Sequence, residues 1–466
     1  MSVGAHRARR PRRRTPQDRG SGSSRVPIPC PTREAAPLSG PLSDPALDPV
    51  AGTRPGQLGD IVVVDLSRAL AGPQATMMLG DLGARIVKIE NPRSGDDTRG
   101  WGPPFVGDGE RESTYFLSAN RNKQSLALDL KSGDGKAALT ELVRRADVLV
   151  ENFRTGVLDR LGFPVERLHE INPRLIVLSI SGFGHDGPEG GRSGYDQIAQ
   201  GEAGLMSVTG SGPDDPQRVG VPIADLLAGM FGAYGVLAAL HERERTGVGQ
   251  VVRTSLLAAV VGVHGFQGTA WTVAGEAGAA RGNHHPSISP YGLFRCLGGA
   301  VQISCGSEGL WRRLCAEFDL DPEAEGMRTN ADRVGHPDLV RSTVEKAFAG
   351  DAPDALLARL AGAGVPAGRV RSIDEVYAWE QTASQGLLVD VDHATLGRLT
   401  LPGPPLRFFD GAGAERPRRR HDAPPTLDQH GESLRRELGL PAERPTADPA
   451  TAADPAPAGT APEAGR

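Results

Sequence analysis

Cysteine is scarce in this chain, and its four residues, Cys30, Cys296, Cys305 and Cys315, form no CxxC pair. That pattern excludes a disulfide framework and a zinc knuckle, and it fits a reducing, cytoplasmic setting with the last three as buried free thiols. No G-x-G-x-x-G follows the first strand signal and no Walker A sequence occurs, so neither a standard dinucleotide site nor a P-loop is supported. Metal ligands are not gathered either: His284 and His285 are adjacent, a poor spacing on any regular element, and no metal is expected. Long apolar runs are also missing. The most apolar helix-length stretch, residues 221–240, carries Asp225 and three glycines. It falls short of the ~20 clean apolar residues of a span and reads as a buried core helix, so no membrane partner is expected.

What is present is uneven. Residues 1–34 hold nine Arg against Asp18 and Glu34, a local +7, so the net charge of -5 leaves about -12 on the remainder. An acidic body is a poor nucleic-acid binder. The Arg-rich start contains proline and is followed by no apolar stripe or secretory core, which favours a disordered extension over a targeting signal. Residues 1–55 and 441–466, rich in Pro and without periodicity, read as disordered ends.

Between them the first half alternates strand and helix signals. The continuous β-branched run at 61–65 reads as a strand covered on both faces, and 85–90, 147–151 and 175–181 read as further strands. Helical spacing at 71–84, 135–146 and 165–171 separates them. This alternation predicts an α/β fold, a doubly wound, Rossmann-like large domain over 56–268. Loops at the strand C-termini then share one edge, where ligands bind in open sheets. Those loops combine Gly, Asn and Arg, a good mixture for a nucleotide with phosphates. After about residue 269 the texture changes, and 269–385 reads as a smaller second domain. Residues 386–440 read as a return segment completing the large one.

Asp225 stands where the extended segment 219–223 becomes a helix of about 225–244. Aspartate is a favoured N-cap, and capping alone would explain it. The same position, with amides and macrodipole keeping the carboxylate ionised and apolar neighbours stripping its water, would also make a nucleophile that needs no metal or general base.

Ten passages carry a resemblance to a known family. They are residues 65–73, 82–90, 94–100, 122–125, 128–131, 146–162, 195–200, 224–230, 242–250 and 281–286, all within about 58 to 410. In this order and spacing the chain resembles the class III CoA-transferases, which include formyl-CoA transferase and the carnitine-related CoA-transferases. The resemblance implies an interlocked homodimer of two-domain subunits, with an acyl-CoA donor and a carboxylic acid acceptor. Coenzyme A is then substrate rather than a tightly bound cofactor. Asp225 takes the nucleophile position, passing through a mixed anhydride to an aspartyl-CoA thioester. CoA-contacting positions fall on Leu70, Ala71, Asn91, Leu128, Asp129, Leu130, Lys131, Asn152, Phe153, Arg154 and Arg160. Tyr195 and Asp196 match positions near the nucleophile.

Each position has a plainer alternative. Asn152 and Phe153 can cap a strand, Lys131 and Arg160 can be solvated charges, and Asp196 can make a structural hydrogen bond. Where formyl-CoA transferase has His-Val-Gln in its first loop this chain has Arg68-Ala69-Leu70, and only residues 275–282 loosely match that enzyme's glycine lid. These departures argue against formyl and oxalyl transfer. Related acyl-CoA racemases have a histidine where this chain has Tyr195, whose reference pKa of about 10 suits proton exchange poorly. A racemase, or a non-catalytic CoA-binding protein, remains the alternative.

Overall fold

The computed structural model describes residues 56–109, 111–416 and 420–440. The ends expected to be disordered, 1–55 and 441–466, lie outside them. Six strands form one sheet: β1 (Val62–Asp65), β2 (Arg85–Glu90), β3 (Lys123–Ala127), β4 (Val148–Glu151), β5 (Ile176–Ser181) and β6 (Val251–Ser255). Every pairing is parallel and the spatial order is β3-β2-β1-β4-β5-β6. This is the classic doubly wound order, whose direction reverses between β1 and β4. Strands β3 and β6 were not anticipated. They are the sheet's edges, and sequences such as Lys123-Gln124-Ser125 lack the run of apolar residues that a strand buried on both faces requires.

Helices α1 (Ala71–Asp81), α2 (Gly133–Arg145), α3 (Val165–Ile171), α4 (Asp196–Glu202), α5 (Ile223–Thr246) and α6 (Leu256–Gly262) cover the sheet. Val63, Ile86, Val148, Val150, Ile176 and Leu178 pack on the side of α1 and α5. The alternate residues Val64, Val87, Leu149 and Val177 pack on α2 and α3. Both faces are therefore covered, which explains the unbroken apolar run at 61–64. Helix α1 stops at Asp81 rather than at 84 because Gly83 adopts φ +109°, a conformation that L side chains rarely hold.

Helix α5 alone, among the described residues, is long and apolar enough to cross a membrane. Its Ala228, Gly232, Ala233 and Val236 are buried against the sheet, as expected of a core helix. Its other side exposes Met230, Tyr234 and Leu237. Further along the chain, β7 (Tyr291–Cys296), β8 (Gly299–Ser304) and β9 (Ala367–Gly368) form an antiparallel sheet in the order β9-β8-β7. With α7 (Glu308–Glu317), α8 (Pro337–Phe348) and α9 (Pro353–Gly362) it encloses a separate core around Phe294, Trp311 and Phe348. Helix α10 (Gly431–Glu437) then returns to the first sheet, where the Ala127 amide donates to Asp428 Oδ1 at 2.7 Å.

Candidate active site

The C-terminal ends of β1 and β4 part at the reversal point, leaving a crevice between the loops that follow them. One side chain ties these loops together. The Arg68 amide donates to Asn152 Oδ1 at 2.8 Å, and Asn152 Nδ2 donates to the Arg68 carbonyl at 2.7 Å. The next residue, Ala69, sits at φ +59°, and its amide donates to Asp96 Oδ1 at 3.2 Å. The Phe153 amide donates to Glu151 Oε2 at 2.8 Å. The loops are thus held by hydrogen bonds, two of them to the buried Asp96 and Glu151 carboxylates.

Beneath them lies a charge network that sequence reasoning missed. Lys88 Nζ is 2.8 Å from Asp96 Oδ2, and Lys123 Nζ is 3.0 Å from Asp65 Oδ2, with all four side chains fully buried. Lys88 Nζ also donates to the Ser67 carbonyl at 2.9 Å, and Thr76 Oγ1 donates to Asp65 Oδ2 at 2.7 Å. Burial alone would raise the Asp65 carboxyl; Lys123 and Lys88 overcome it and bring the group down to about 2. Arg99 closes the network with a two-point contact to Glu90, at 2.8 Å for each bond. Six charged residues inside strand ends and their loops support one edge of the crevice.

The crevice opens into a cavity of about 520 Å³ lined by Arg68, Ala69, Trp101, Tyr115, Asn152, Phe153, Arg154, Tyr195, Asp196, Arg218 and Asp225 among others. Asp225 is therefore on the wall. It is not the N-cap of α5 as the sequence allowed: Pro222 is, and Asp225 is the third helical residue. The helix amides are taken by Asp196 instead. The Ala224 and Asp225 amides donate to Asp196 Oδ1 at 2.8 and 3.3 Å, while buried Gln200 donates to Asp196 Oδ2 at 2.7 Å. Asp196 thus makes the structural hydrogen bonds and also faces the cavity.

The Asp225 carboxylate accepts no hydrogen bond from the described residues. Burial, and then the Asp196 charge, push its carboxyl from 3.8 up to about 7. The expectation of a carboxylate kept ionised by helix amides is corrected here, because those amides are already occupied. Tyr115 stands nearby, packed edge-on against Trp101 with ring centroids 5.1 Å apart. Burial, with Asp225, Asp196 and Asp96 adding to it, raises the Tyr115 phenol to about 12, so it stays a proton donor at neutral pH.

Of the residues singled out from sequence, Asn152, Phe153, Arg154, Tyr195, Asp196 and Asp225 share this wall, and Tyr195 is largely exposed on it. Leu70 and Ala71 are buried in the cores below. The Asn91 side chain accepts from the Arg93 and Ser94 amides of its own turn, at 2.9 and 3.2 Å. Asp129 likewise accepts from the Lys131 amide at 3.0 Å, while Leu128 and Leu130 rest against the core under α2. None of these, nor Lys131 or Arg160, lines the cavity. Trp101 and Arg218 were missed because they lie in irregular connections, and Tyr115 because it sits in a five-residue helix, Thr114–Ser118, too short to show a periodicity. Their one signal was a tryptophan beside Gly-Pro-Pro in a chain with four tryptophans.

Residues 58–431 match the model of the family described as CoA-transferase family III. The chain is 39% identical over 389 residues to an acetyl-CoA:oxalate CoA-transferase of Acetobacter aceti, covering 83% of this chain and 97% of that one. It is 36% identical to a human succinyl-CoA:glutarate CoA-transferase, covering 82% and 86% of the two chains. A crystal structure of a CAIB/BAIF family protein from Brucella suis superposes with a TM-score of 0.73 at 36% identity, covering 83% of this chain and all of that one.

Proposed function

Because the chain belongs to CoA-transferase family III, we propose that it is the enzyme that moves coenzyme A from an acyl-CoA to a free carboxylic acid with Asp225 as its nucleophile. One observation carries the choice of residue: a carboxylate without a hydrogen-bond partner faces the crevice at the sheet's reversal point. An oxygen of ionised Asp225 attacks the thioester carbonyl, and the C–S bond breaks to give a mixed anhydride and CoA thiolate. The thiolate then attacks the Asp225 carbonyl carbon, expelling the donor acid and forming an aspartyl-CoA thioester. The acceptor carboxylate opens that thioester to a second anhydride. Attack by CoA on the acceptor's carbonyl releases the new thioester and restores the Asp225 carboxylate. Tyr115 supplies a donor for the oxygen charge that develops at each addition.

The CoA chain runs along the strand-end loops in this proposal. Asn152, Phe153 and Arg154 contact it, the backbone at Leu70 and Ala71 lies alongside, and Asn91, Leu128 to Lys131 and Arg160 serve its outer part. Lys131 and Arg160 are suited to phosphates. The matched relatives are named for CoA transfer, which supports transfer over racemisation. One of them is named for oxalate, so the absent glutamine of the first loop no longer argues against that acid. The domain division at 56–268, 269–385 and 386–440 and a cytoplasmic setting belong to the same proposal. So does the interlocked homodimer, supported by an apolar groove of about 540 Å³ beside exposed Met230, Tyr234 and Leu237.

The test is mass spectrometry of the protein mixed with succinyl-CoA at low acceptor. A CoA-sized adduct on the Asp225 peptide is expected, together with complete loss of transfer in Asp225→Ala. Full transfer by that variant overturns the assignment.

A further inference from the structure

The cavity wall carries four guanidinium groups, and they are not equally free. Arg192 is spent on Glu189 and Glu202, at 3.3 and 2.6 Å, and lies over the Phe183 ring. Arg218 donates to the Val219 and Gly220 carbonyls, each at 3.1 Å. Arg154 belongs to the loop assigned to coenzyme A. Arg68 remains: its side chain has no carboxylate partner among the described residues and only rests 5.6 Å above the Phe153 ring.

Its backbone, by contrast, is fixed. Asn152 holds both the amide and the carbonyl of Arg68, and Ala69 beyond it is in the left-handed region. The loop is also set at the level of the nucleophile. Helices α1 and α5 approach so closely that a Cβ on Gly229 would lie 2.6 Å from the Ala71 carbonyl oxygen. Asp225 precedes Gly229 by four residues, so it projects from the same face one turn higher. Arg68 precedes Ala71 by three residues and lines the same cavity. A guanidinium without a carboxylate partner, carried on a fixed backbone and lining the same cavity as Asp225, has one evident complement, a second negative group on the molecule that reacts there.

We infer that the acids exchanged by this enzyme are dicarboxylic acids, and that Arg68 holds the far carboxylate while the near one reacts at Asp225. The inference rests on the transferase proposal for which carboxylate reacts, and it names the substrate class of the same site. Donor and acceptor use Arg68 in turn, since each occupies the acyl position at Asp225 at a different stage. A monocarboxylic acid of equal length fits the space but leaves the guanidinium without its partner.

Two measurements separate this inference from the proposal beneath it. The first needs no turnover: Asp225→Asn protein is titrated with succinyl-CoA and with butyryl-CoA. Succinyl-CoA should bind about tenfold more tightly, the scale of one charged hydrogen-bonded contact. Adding Arg68→Gln should erase the difference, and Arg68→Lys should restore part of it. The second is turnover with glutarate against pentanoate as acceptor. The wild type should prefer glutarate by at least the same factor in kcat/KM, and Arg68→Gln should bring the ratio towards one. If Arg68→Gln instead weakens every CoA ester equally and leaves both ratios unchanged, Arg68 holds a CoA phosphate and the inference is overturned. If the binding preference is present but no acid is ever acylated, the transferase proposal fails while Arg68 keeps its role.

Discussion

Between pH 6 and pH 8 the donor-dependent rate is expected to rise about tenfold. For an aspartate at its ordinary value the ionised fraction is essentially complete throughout that range. With the Asp225 carboxyl at about 7, the fraction grows from roughly 0.09 to roughly 0.91, and only the ionised form attacks. The assay is kcat/KM for the acyl-CoA donor at saturating acceptor, since that constant reports the free enzyme. The same shift has a stability counterpart. The folded-state value lies above the unfolded one, so folding favours the protonated group. Below about pH 4 both states hold the proton and there is no penalty; above about pH 7 both have lost it and the folded state bears the full cost. The difference between 3.8 and about 7, at about 1.36 kcal/mol per unit, is about 4 kcal/mol. Asp225→Asn carries no charge and is expected to unfold at higher urea than wild type at pH 8, with the gain vanishing near pH 4. A flat rate profile from pH 6 to 8, with no pH-dependent gain in the Asn variant, would refute the reasoning.

Other substitutions test the neighbouring pieces. Asp196→Asn keeps a side-chain acceptor for the α5 amides but removes the charge that raises Asp225, so the acid limb of the rate profile should move to lower pH; an unmoved limb would leave burial as the whole cause. Lys123→Met strands the fully buried Asp65 carboxylate, and a loss of roughly 3–5 kcal/mol in urea unfolding is expected. A loss under about 1 kcal/mol would mean that Lys88 alone balances the site. Asn152→Ala removes both bonds joining the crevice loops, at about 0.5–1.5 kcal/mol each. It should raise KM for the acyl-CoA several-fold and lower Tm by a few degrees, and an unaltered KM would show that the crevice keeps its shape without the tie.

The sheet was legible where strands are buried on both faces, because β-branched and apolar residues such as those of 61–64 dominate there, with charges such as Lys88 admitted only where a buried partner meets them. Strands β3 and β6 were not, since an edge or polar-rich strand is fixed by its neighbour's register rather than by its own residues. Asp225 could be singled out from the pattern around residues 219–229 as a cap or a reactive carboxylate, yet its ionisation was misjudged. Whether α5's amides face Asp225 or Asp196 depends on a contact spanning 28 residues, which no local pattern reveals. The buried Lys88 and Lys123 escaped notice for a related reason. Alone, each lysine reads as a surface charge; only folding brings Asp96 and Asp65 against them.

The contact between Gly229 and the Ala71 carbonyl has a mechanical consequence. With no side chain to act as a cushion, α1 and α5 meet backbone to backbone, as two rods pressed together without a gasket. A displacement of the first strand-end loop is therefore transmitted to the turn that carries Asp225 instead of being absorbed between them. Under the proposed function, whatever grips the ligand at one end of this joint also aims the carboxylate at the other.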